Sequence, residues 1–497
     1  GARPLQLVGL EPAGAGAPPR LAAGAGAKRA FLEAAGGRPV RAVAVCGLYR
    51  TGKSFLMNLL AGTQGFADSG AFAVGDTVQA CTAGIWVRVS KPSARDGSVC
   101  LLLDCEGSGS TEKDRDHDAR LFALAVLLSS LVVFNSRGVI NDPAVHALAT
   151  AASLAQHICR QQEDASRGGG LAPSFLWVLR DFTLDLHDAA GQAITERQYL
   201  EQVLGTFKDN ARPPPDAAAA AQWEDRKEAR RKIVELFPKR DCATLVRPVD
   251  DEEQLQHLGS VPFGSLRPRF VEQVQELRRK VFGACGIMRS PAGGKAVTGS
   301  ALFALLEAHL ETLNRGAVPQ LGSVWQQVSR QECGRAVEEA LRHVSAACLE
   351  AAAGLPADDE EINDAMRPKV DEAWEVFAAV ALGSEDVVQE HRADLEQSIK
   401  DSIARLRKEN EAVATRQNEA WLRQECQSLI DDLLKEHRPR FDAEIMTVGE
   451  CDEVDEQLGA ALERLRAAYA QRAVGPVAAR GGPFAQIAGR RGEAATR

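Results

Sequence analysis

The chain has 497 residues, 45% of them apolar and 26% charged, with a formal net charge of -9. That mixture belongs to globular proteins and excludes a disordered, fibrous or collagen-like chain, and the length calls for two or more domains. A net acidic field repels phosphate backbones, so nucleic acid is not expected as a partner.

Residues 1–40 are rich in Ala, Gly and Pro and form a lead-in, with one strand-like run at Leu5 to Leu10 and a short helix predicted from Ala27 to Ala35. From Arg41 to about Phe282, short β-rich runs alternate with helical patterns. The runs are Val43 to Cys46, Val99 to Leu103, Leu131 to Phe134, Phe175 to Leu179 and Thr244 to Arg247. This alternation predicts an α/β domain over 1–290, a mainly parallel sheet with helices on both faces. The most apolar stretch, 119–134, is shorter than the roughly 20 residues a membrane-spanning helix needs and reads as a buried helix running into a buried strand.

A basic run at Arg226, Lys227, Arg230, Arg231 and Lys232 reads first as a solvated helix face and second as a surface for self-association or an acidic partner. The Gly/Pro cluster at 289–294, followed by Val297-Thr-Gly299, predicts a hinge over 291–299. Beyond it, over 300–497, strand signals vanish and Glu, Ala, Leu, Gln and Arg dominate, which predicts an elongated all-α domain. Within it Leu395, Ile399, Ile403, Leu406, Val413, Ala420, Leu429 and Leu433 recur at helical spacing. The stripe is either buried at home in an antiparallel bundle or reserved for a partner helix.

Eleven cysteines, without a C-x-x-C pair, suggest neither a disulfide framework nor a zinc site and suit a reducing setting, cytoplasmic or nuclear. Cys46 and Cys100 lie in apolar strand-like runs, where a buried, inert thiol is the usual state. The last four residues hold no cysteine and hence no prenylation motif. The start at Gly1 suits a trimmed chain, and truncation at the C-terminus stays open.

Gly47-Leu-Tyr49-Arg50-Thr51-Gly52-Lys53-Ser54 fits G-x-x-x-x-G-K-[ST], with a strand before it and an apolar helix start from Phe55 to Leu60 after it. Glycines let the loop point successive N–H groups at phosphates, and the following helix adds its positive end. Lys53 would neutralise β- and γ-phosphate charge, and Ser54 would ligate Mg²⁺. In Leu101-Leu-Leu-Asp104-Cys-Glu106-Gly107, a buried strand ends in a carboxylate and a glycine. Asp104 would hold Mg²⁺ through water and the Gly107 N–H would sense the γ-phosphate; the competing reading makes Asp104 a simple cap. Thr82 could complete the metal shell from a switch loop or merely stabilise a turn. At the end of a later strand, the Asp181 carboxylate would accept two hydrogen bonds that guanine offers and adenine does not; otherwise Arg180-Asp181 is a surface ion pair.

Together, Gly47 to Ser54, Thr77-Val-Gln, Gly84-Ile-Trp86, Asp104-x-Glu-Gly107, Phe122 to Ser130, Asn135-Ser136 and Leu179-Arg-Asp-Phe182 resemble the guanylate-binding proteins of the dynamin superfamily. Leu313 to Pro319 and Val324-Trp325 are similar to plant and algal members. The resemblance implies a large GTPase that uses GTP with Mg²⁺ and forms homodimers through its GTPase domains, with higher assemblies and a role in innate defence. It implies Arg50 as a catalytic arginine in the loop itself, Thr82 as the switch threonine, Glu106 in the network that positions water, and Arg180 with Asp181 as guanine reader. The competing reading leaves Arg50 an exposed loop charge. Leu245-Val-Arg-Pro248 is similar to the start of the family's guanine cap. Nucleotide contacts would come from Gly47, Tyr49, Arg50, Thr51, Gly52, Lys53, Ser54, Phe55 and Gly107. Two departures stand out. Ala80-Cys81 replaces a Ser-His pair of animal members, which puts GMP as a product in doubt, and about five extra residues follow Phe66. Two other expectations compete: a GTP-gated scaffold with negligible turnover, and an atlastin-like membrane-remodelling GTPase, which would need the membrane-spanning helices this sequence lacks.

Overall fold

The computed structural model describes residues 3–11, 20–48, 51–62, 71–74, 84–106, 115–160, 173–188, 190–205, 216–290, 294–314, 321–442, 447–476 and 483–484. Eight strands form one sheet: β1 (Leu5–Glu11), β2 (Arg20–Ala23), β3 (Val40–Gly47), β4 (Ile85–Val89), β5 (Val99–Cys105), β6 (Leu131–Arg137), β7 (Ser174–Arg180) and β8 (Arg240–Leu245). Their order is β2-β1-β4-β5-β3-β6-β7-β8. The run β5-β3-β6-β7-β8 is parallel, and β4, β1 and β2 add antiparallel strands on one side. The sheet is therefore mainly parallel, as predicted.

Central strands covered on both faces read as continuous apolar runs rather than alternating ones. Val43-Ala-Val45 and Leu101-Leu-Leu103 are such runs, and alternation divides their side chains between two cores. Ala42, Ala44, Leu101, Leu103, Val132, Phe134 and Trp177 face one way. They pack with α1 (Ala27–Ala35), α3 (Arg115–Leu127), α4 (Asp142–Arg160), α5 (Glu196–Leu204) and α6 (Ala217–Leu236), with α2 (Lys53–Ala61) lying between α1 and α3 in the chain. Val43, Val45, Leu102, Val133 and Val178 face the other way, toward α2 and α8 (Pro268–Ala284), which follows the short α7 (Glu252–Gln256). Phe270, Val274, Leu277 and Val281 give α8 one apolar stripe at helical spacing, and Pro268 starts it.

Two strands escaped the sequence reading. β2 is four residues in an Ala/Gly-rich stretch, and β4 alternates buried and half-buried residues on a short span. Within the stretch read as a lead-in, β1 and β2 belong to the sheet and α1 packs on it. β8 starts at Arg240, before the expected Thr244, because an edge strand needs little apolar signal.

Composition changes class near 290, yet the chain stays tied to the sheet there. Met288 N–H donates to Val40 O at 2.9 Å, Val40 N–H to Val297 O at 3.0 Å, and Val297 N–H to Met288 O at 2.8 Å. The next helix, α9 (Gly299–Asn314), then packs on α1, with the Phe303 and Phe31 rings 5.6 Å apart. The Asn314 amide also closes two hydrogen bonds on the Leu21 backbone, at 2.9 and 2.7 Å. The first compact unit accordingly covers Gly1–Glu332 with Leu382–Ser384.

The second compact unit, Cys333–Ala381 and Glu385–Arg497, is helical. It holds most of α10 (Leu321–Ala353), then α11 (Asp359–Val380), α12 (Glu385–Asp442) and α13 (Val448–Arg472). Leu395, Ile399 and Leu406 are buried with Val344, Met366 and Phe377, so this part of the stripe is covered at home. Further on, the buried face of α12 departs from the expected line. It runs through Asn410, Ala414, Asn418, Leu422 and Cys426, while Ala420 is exposed. The two asparagines are satisfied by backbone: Asn410 pairs with Ala357 N–H and C=O at 2.9 and 2.8 Å, and Asn418 with Val474 at 3.2 and 3.0 Å. Buried amides are kept only when so partnered.

The basic run on α6 is ion-paired, with Arg226 and Arg231 exposed as expected of a solvated face but Arg230 buried. Arg230 and Arg226 reach Asp142 at 2.7 and 3.2 Å, and Arg231 pairs with Glu228 and Glu235 on its own helix. Among the described residues no helix is long and apolar enough to cross a membrane.

Candidate functional site: a phosphate loop at the ends of β3 and β5

The site gathers at the carboxyl ends of the parallel strands, where an open α/β sheet leaves loops and helix N-termini free for a ligand. Gly47 ends β3 with φ 142°, and a Cβ there would lie 2.1 Å from the Asn135 carbonyl oxygen, so only glycine fits. Gly52 precedes α2 in the left-handed region, φ 77°. Between them Leu48 O accepts from Thr51 Oγ1 at 2.8 Å and from Lys53 Nζ at 3.0 Å, which folds the loop over the start of α2. Tyr49 and Arg50 lie outside the described residues.

Asn135, at the end of β6, holds this loop from the side. It pairs with Gly47 in the β3–β6 ladder, and its side-chain amide donates to Thr51 O at 2.8 Å. Lys53 is almost wholly buried; burial pulls its ammonium below the usual lysine range, and the nearby Asp104 carboxylate acts against that. Asp104, beside Val45 in the β3–β5 ladder, is buried too. Its Oδ2 accepts from Ser54 Oγ at 2.6 Å. A hydroxyl and a carboxylate brought together at the end of a strand are the hard oxygen donors a small divalent cation takes, so Ser54 and Asp104 fit Mg²⁺.

Glu106 and Gly84 join β5 to the start of β4. Glu106 N–H donates to Gly84 O at 2.8 Å, and Gly84 N–H donates to Glu106 Oε2 at 2.8 Å. His117 Nε2 lies 3.7 Å from the same carboxylate oxygen. On the near side, the Asn58 amide of α2 closes two hydrogen bonds on the Phe72 backbone, at 2.9 and 2.8 Å. The described segments that flank 75–83 are therefore each pinned to the phosphate-site elements. Thr82 itself, with Thr77 and Gly107, lies outside the described residues.

At the end of β7, Arg180 and Asp181 have different surroundings. Arg180 is buried, its guanidinium 5.5 Å from the Phe55 ring centroid and its Nη1 3.4 Å from Gly52 O. Burial lowers its pKa to about 10, which leaves it charged at neutral pH. Asp181 keeps about a third of its side chain exposed and lies 3.7 Å from Arg137 Nε. Its φ of 54° is the one positive value among the described non-glycine residues. A non-glycine residue there is uncommon and marks a place where backbone geometry serves a side chain. The structure thus brings Gly47, Thr51, Gly52, Lys53, Ser54, Phe55, Asp104, Arg180 and Asp181 to one end of the sheet. Asn135, Asn58 and His117 were not given roles from the sequence. The signal for Asn135 was available: a lone amide closing the apolar run Leu131-Val-Val-Phe134.

Comparison with known proteins agrees with this geometry. The family model "Guanylate-binding protein, N-terminal domain" matches residues 29–288, and "Guanylate-binding protein, C-terminal domain" matches 293–443. Guanylate-binding protein 3 of Mus musculus is 32% identical over 409 residues, 80% of this chain and 61% of that protein. Guanylate-binding protein 7 of Homo sapiens is 35% identical over 316 residues, 62% of this chain and 47% of that protein. Guanylate-binding protein 1 of Chlorocebus aethiops is 32% identical over 405 residues, 80% of this chain and 64% of that protein. The chain spans less than two thirds of the length of each of these relatives. With both family models matched in order across one α/β and one helical region, the chain belongs to the guanylate-binding protein family.

Proposed function

We propose that this chain binds GTP with Mg²⁺ and hydrolyses it to GDP and phosphate, and that it dimerises through its GTPase domains when GTP is bound. The observation that carries the reading is the convergence of Lys53, Ser54 and Asp104 at the ends of β3 and β5, with Ser54 and Asp104 2.6 Å apart. Phosphoryl transfer asks little covalent chemistry of a protein and depends on positioning and charge. Lys53, held by the Leu48 carbonyl, carries positive charge on a stem too buried to wander. The N-terminus of α2 adds backbone N–H groups and a dipole of the right sign. Bound between Ser54 and Asp104, Mg²⁺ would supply neutralising charge to the β- and γ-phosphate oxygens.

Asp181 chooses the base: its carboxylate accepts from guanine's ring N–H and exocyclic amine, which adenine cannot match. Arg180 acts through the loop, bracing Gly52 and Phe55 from β7. Arg50, by the family resemblance, turns its guanidinium onto the transferring phosphoryl group, a contribution of roughly 10³–10⁵-fold in rate. Thr82 closes the switch, and Glu106 fixes the end of that switch through Gly84. Assembly beyond the dimer, a part in innate defence and a cytoplasmic setting belong to the same proposal and rest on the resemblance alone. The test is phosphate release from GTP by the chain and its Lys53→Ala variant. Loss of release in the variant is expected, and release at the parent rate would remove the catalytic reading.

A further inference from the structure

Two thiol pairs sit on opposite faces of the sheet, and they differ in access. Cys46 and Cys105 are free, buried thiols beside the phosphate loop, and the hydrogen bond with Cys46, then burial, pushes the Cys105 thiol well up. Neither is open to solvent, so an oxidant has no access to this pair. Cys100 and Cys285 form the second pair, at the far end of the sheet. Cys100 opens β5, on the order of 13 Å along the strand from Asp104 at 3.3 Å per residue. Cys285 closes α8.

Cys100 is partly open to solvent and faces a cation. Arg41 is its in-register neighbour on β3, on the same face of the sheet. The guanidinium is shared: it pairs with Asp96, donates from Nε to Ser98 Oγ at 3.1 Å, and reaches Cys285 O at 3.5 Å. The hydrogen bond from the Cys285 thiol, and then Arg41, hold the Cys100 thiol below its ordinary range against the effect of burial. Cys285 is shifted the opposite way, upward, by the same bond and by burial, with the Ser130 hydroxyl also on it. One sulfur is therefore disposed to attack and the other to hold its proton.

We propose that Cys100 and Cys285 are an oxidation site, converted to a disulfide by a hydroperoxide-class oxidant. The Cys100 sulfur attacks one peroxide oxygen, the O–O bond breaks, and the other oxygen leaves as water or alcohol with the thiol's proton. Cys100 is thereby oxidised by two electrons to a sulfenic acid while the peroxide is reduced. The Cys285 sulfur then attacks the sulfenic sulfur; the S–S bond forms, the S–O bond breaks, and the hydroxyl leaves as water with the Cys285 proton. The product staples the start of β5 to the end of α8, just before the Met288 to Val297 backbone bonds that lead to α9.

The test treats the full chain with hydrogen peroxide, alkylates the remaining thiols and digests without reduction for mass spectrometry. The expected result is a linked peptide pair containing Cys100 and Cys285, lighter by two hydrogen atoms and separated by dithiothreitol. In Cys285→Ser, Cys100 should instead accumulate as a dimedone-trapped sulfenic acid. Cys100 still fully alkylated at a peroxide level that oxidises the exposed Cys451 would overturn the proposal, whatever the variant does.

Discussion

The Asn135 side-chain amide donates to the Thr51 carbonyl at 2.8 Å, while its own carbonyl oxygen sits against Gly47. One residue of β6 thereby fixes both ends of the phosphate loop, and the loop's shape depends on the neighbouring strand as well as on its own glycines. In Asn135→Ala the Thr51 carbonyl loses a buried partner, a cost of about 1–3 kcal/mol. Nucleotide affinity should fall about tenfold, the effect of losing one such hydrogen bond at the loop. Titration with a fluorescent GTP analogue checks this, and unchanged affinity would mean that the loop keeps its shape without β6.

Ser54 and Asp104 are expected to act on nucleotide binding through Mg²⁺. Asp104→Asn keeps the size of a buried side chain and removes its charge, so the Mg²⁺ concentration for half-maximal turnover should rise about 10–100-fold, the usual effect of disturbing a metal's supporting shell. GDP binding in the presence of a chelator should change far less. A Mg²⁺ dependence like the parent's would show that Asp104 is only structural.

In the proposed function, base choice rests on Asp181, a carboxylate at an unusual backbone position. Asn tolerates the left-handed conformation of Asp181, so Asp181→Asn changes chemistry and leaves the turn intact. A donor amide no longer accepts from guanine's ring N–H and amine but does match the carbonyl of xanthine. GTP turnover should drop by about 10⁴-fold, the scale for leaving polar groups in a base pocket unpaired, with XTP becoming the better substrate. Equal use of GTP by parent and variant would move base selection elsewhere.

His309 links stability to pH. It is buried on α9, its Nδ1 has no hydrogen-bond partner among the described residues, and desolvation lowers its pKa to about 4. The folded chain then binds this proton less readily than the unfolded chain, whose histidine titrates near 6.5. Between those values the unfolded state holds more protons, so stability is lost as pH falls from about 6.5 toward 4. The loss attributable to His309 is on the order of 3 kcal/mol at the lower end. Thermal unfolding at pH 7 and pH 5 should separate more for the parent than for His309→Met, and equal separations would contradict a buried neutral imidazole.

The parallel strands and the phosphate loop were legible because their signals are local. A continuous apolar run such as Leu101-Leu-Leu103 has few readings other than a strand buried on both faces, and G-x-x-x-x-G-K-[ST] states its geometry in its glycines. What stayed hidden depends on contacts between distant residues. Asn58, Asn314, Asn410 and Asn418 look like surface residues in a sequence, and each instead closes a bond on backbone elsewhere in the chain. Two of them turned the buried face of α12 away from the apolar pattern at Val413, Ala420 and Leu429. Cys100, expected to be buried, is only half-buried, and Arg41 and Cys285 come to it from separate segments. The change in composition near 290 coincides with the step between the two family matches, 29–288 and 293–443, while backbone bonds from 288 and 297 to Val40 hold the start of α9 beside the sheet.

The central claim, a GTP-specific hydrolase activated by dimerisation, is tested most directly by separating the nucleotides formed from GTP or ATP with Mg²⁺ across a range of protein concentrations. The account predicts GDP from GTP alone, with specific activity rising as protein concentration rises. No turnover of GTP at any concentration, or turnover of ATP at a comparable rate, would contradict it.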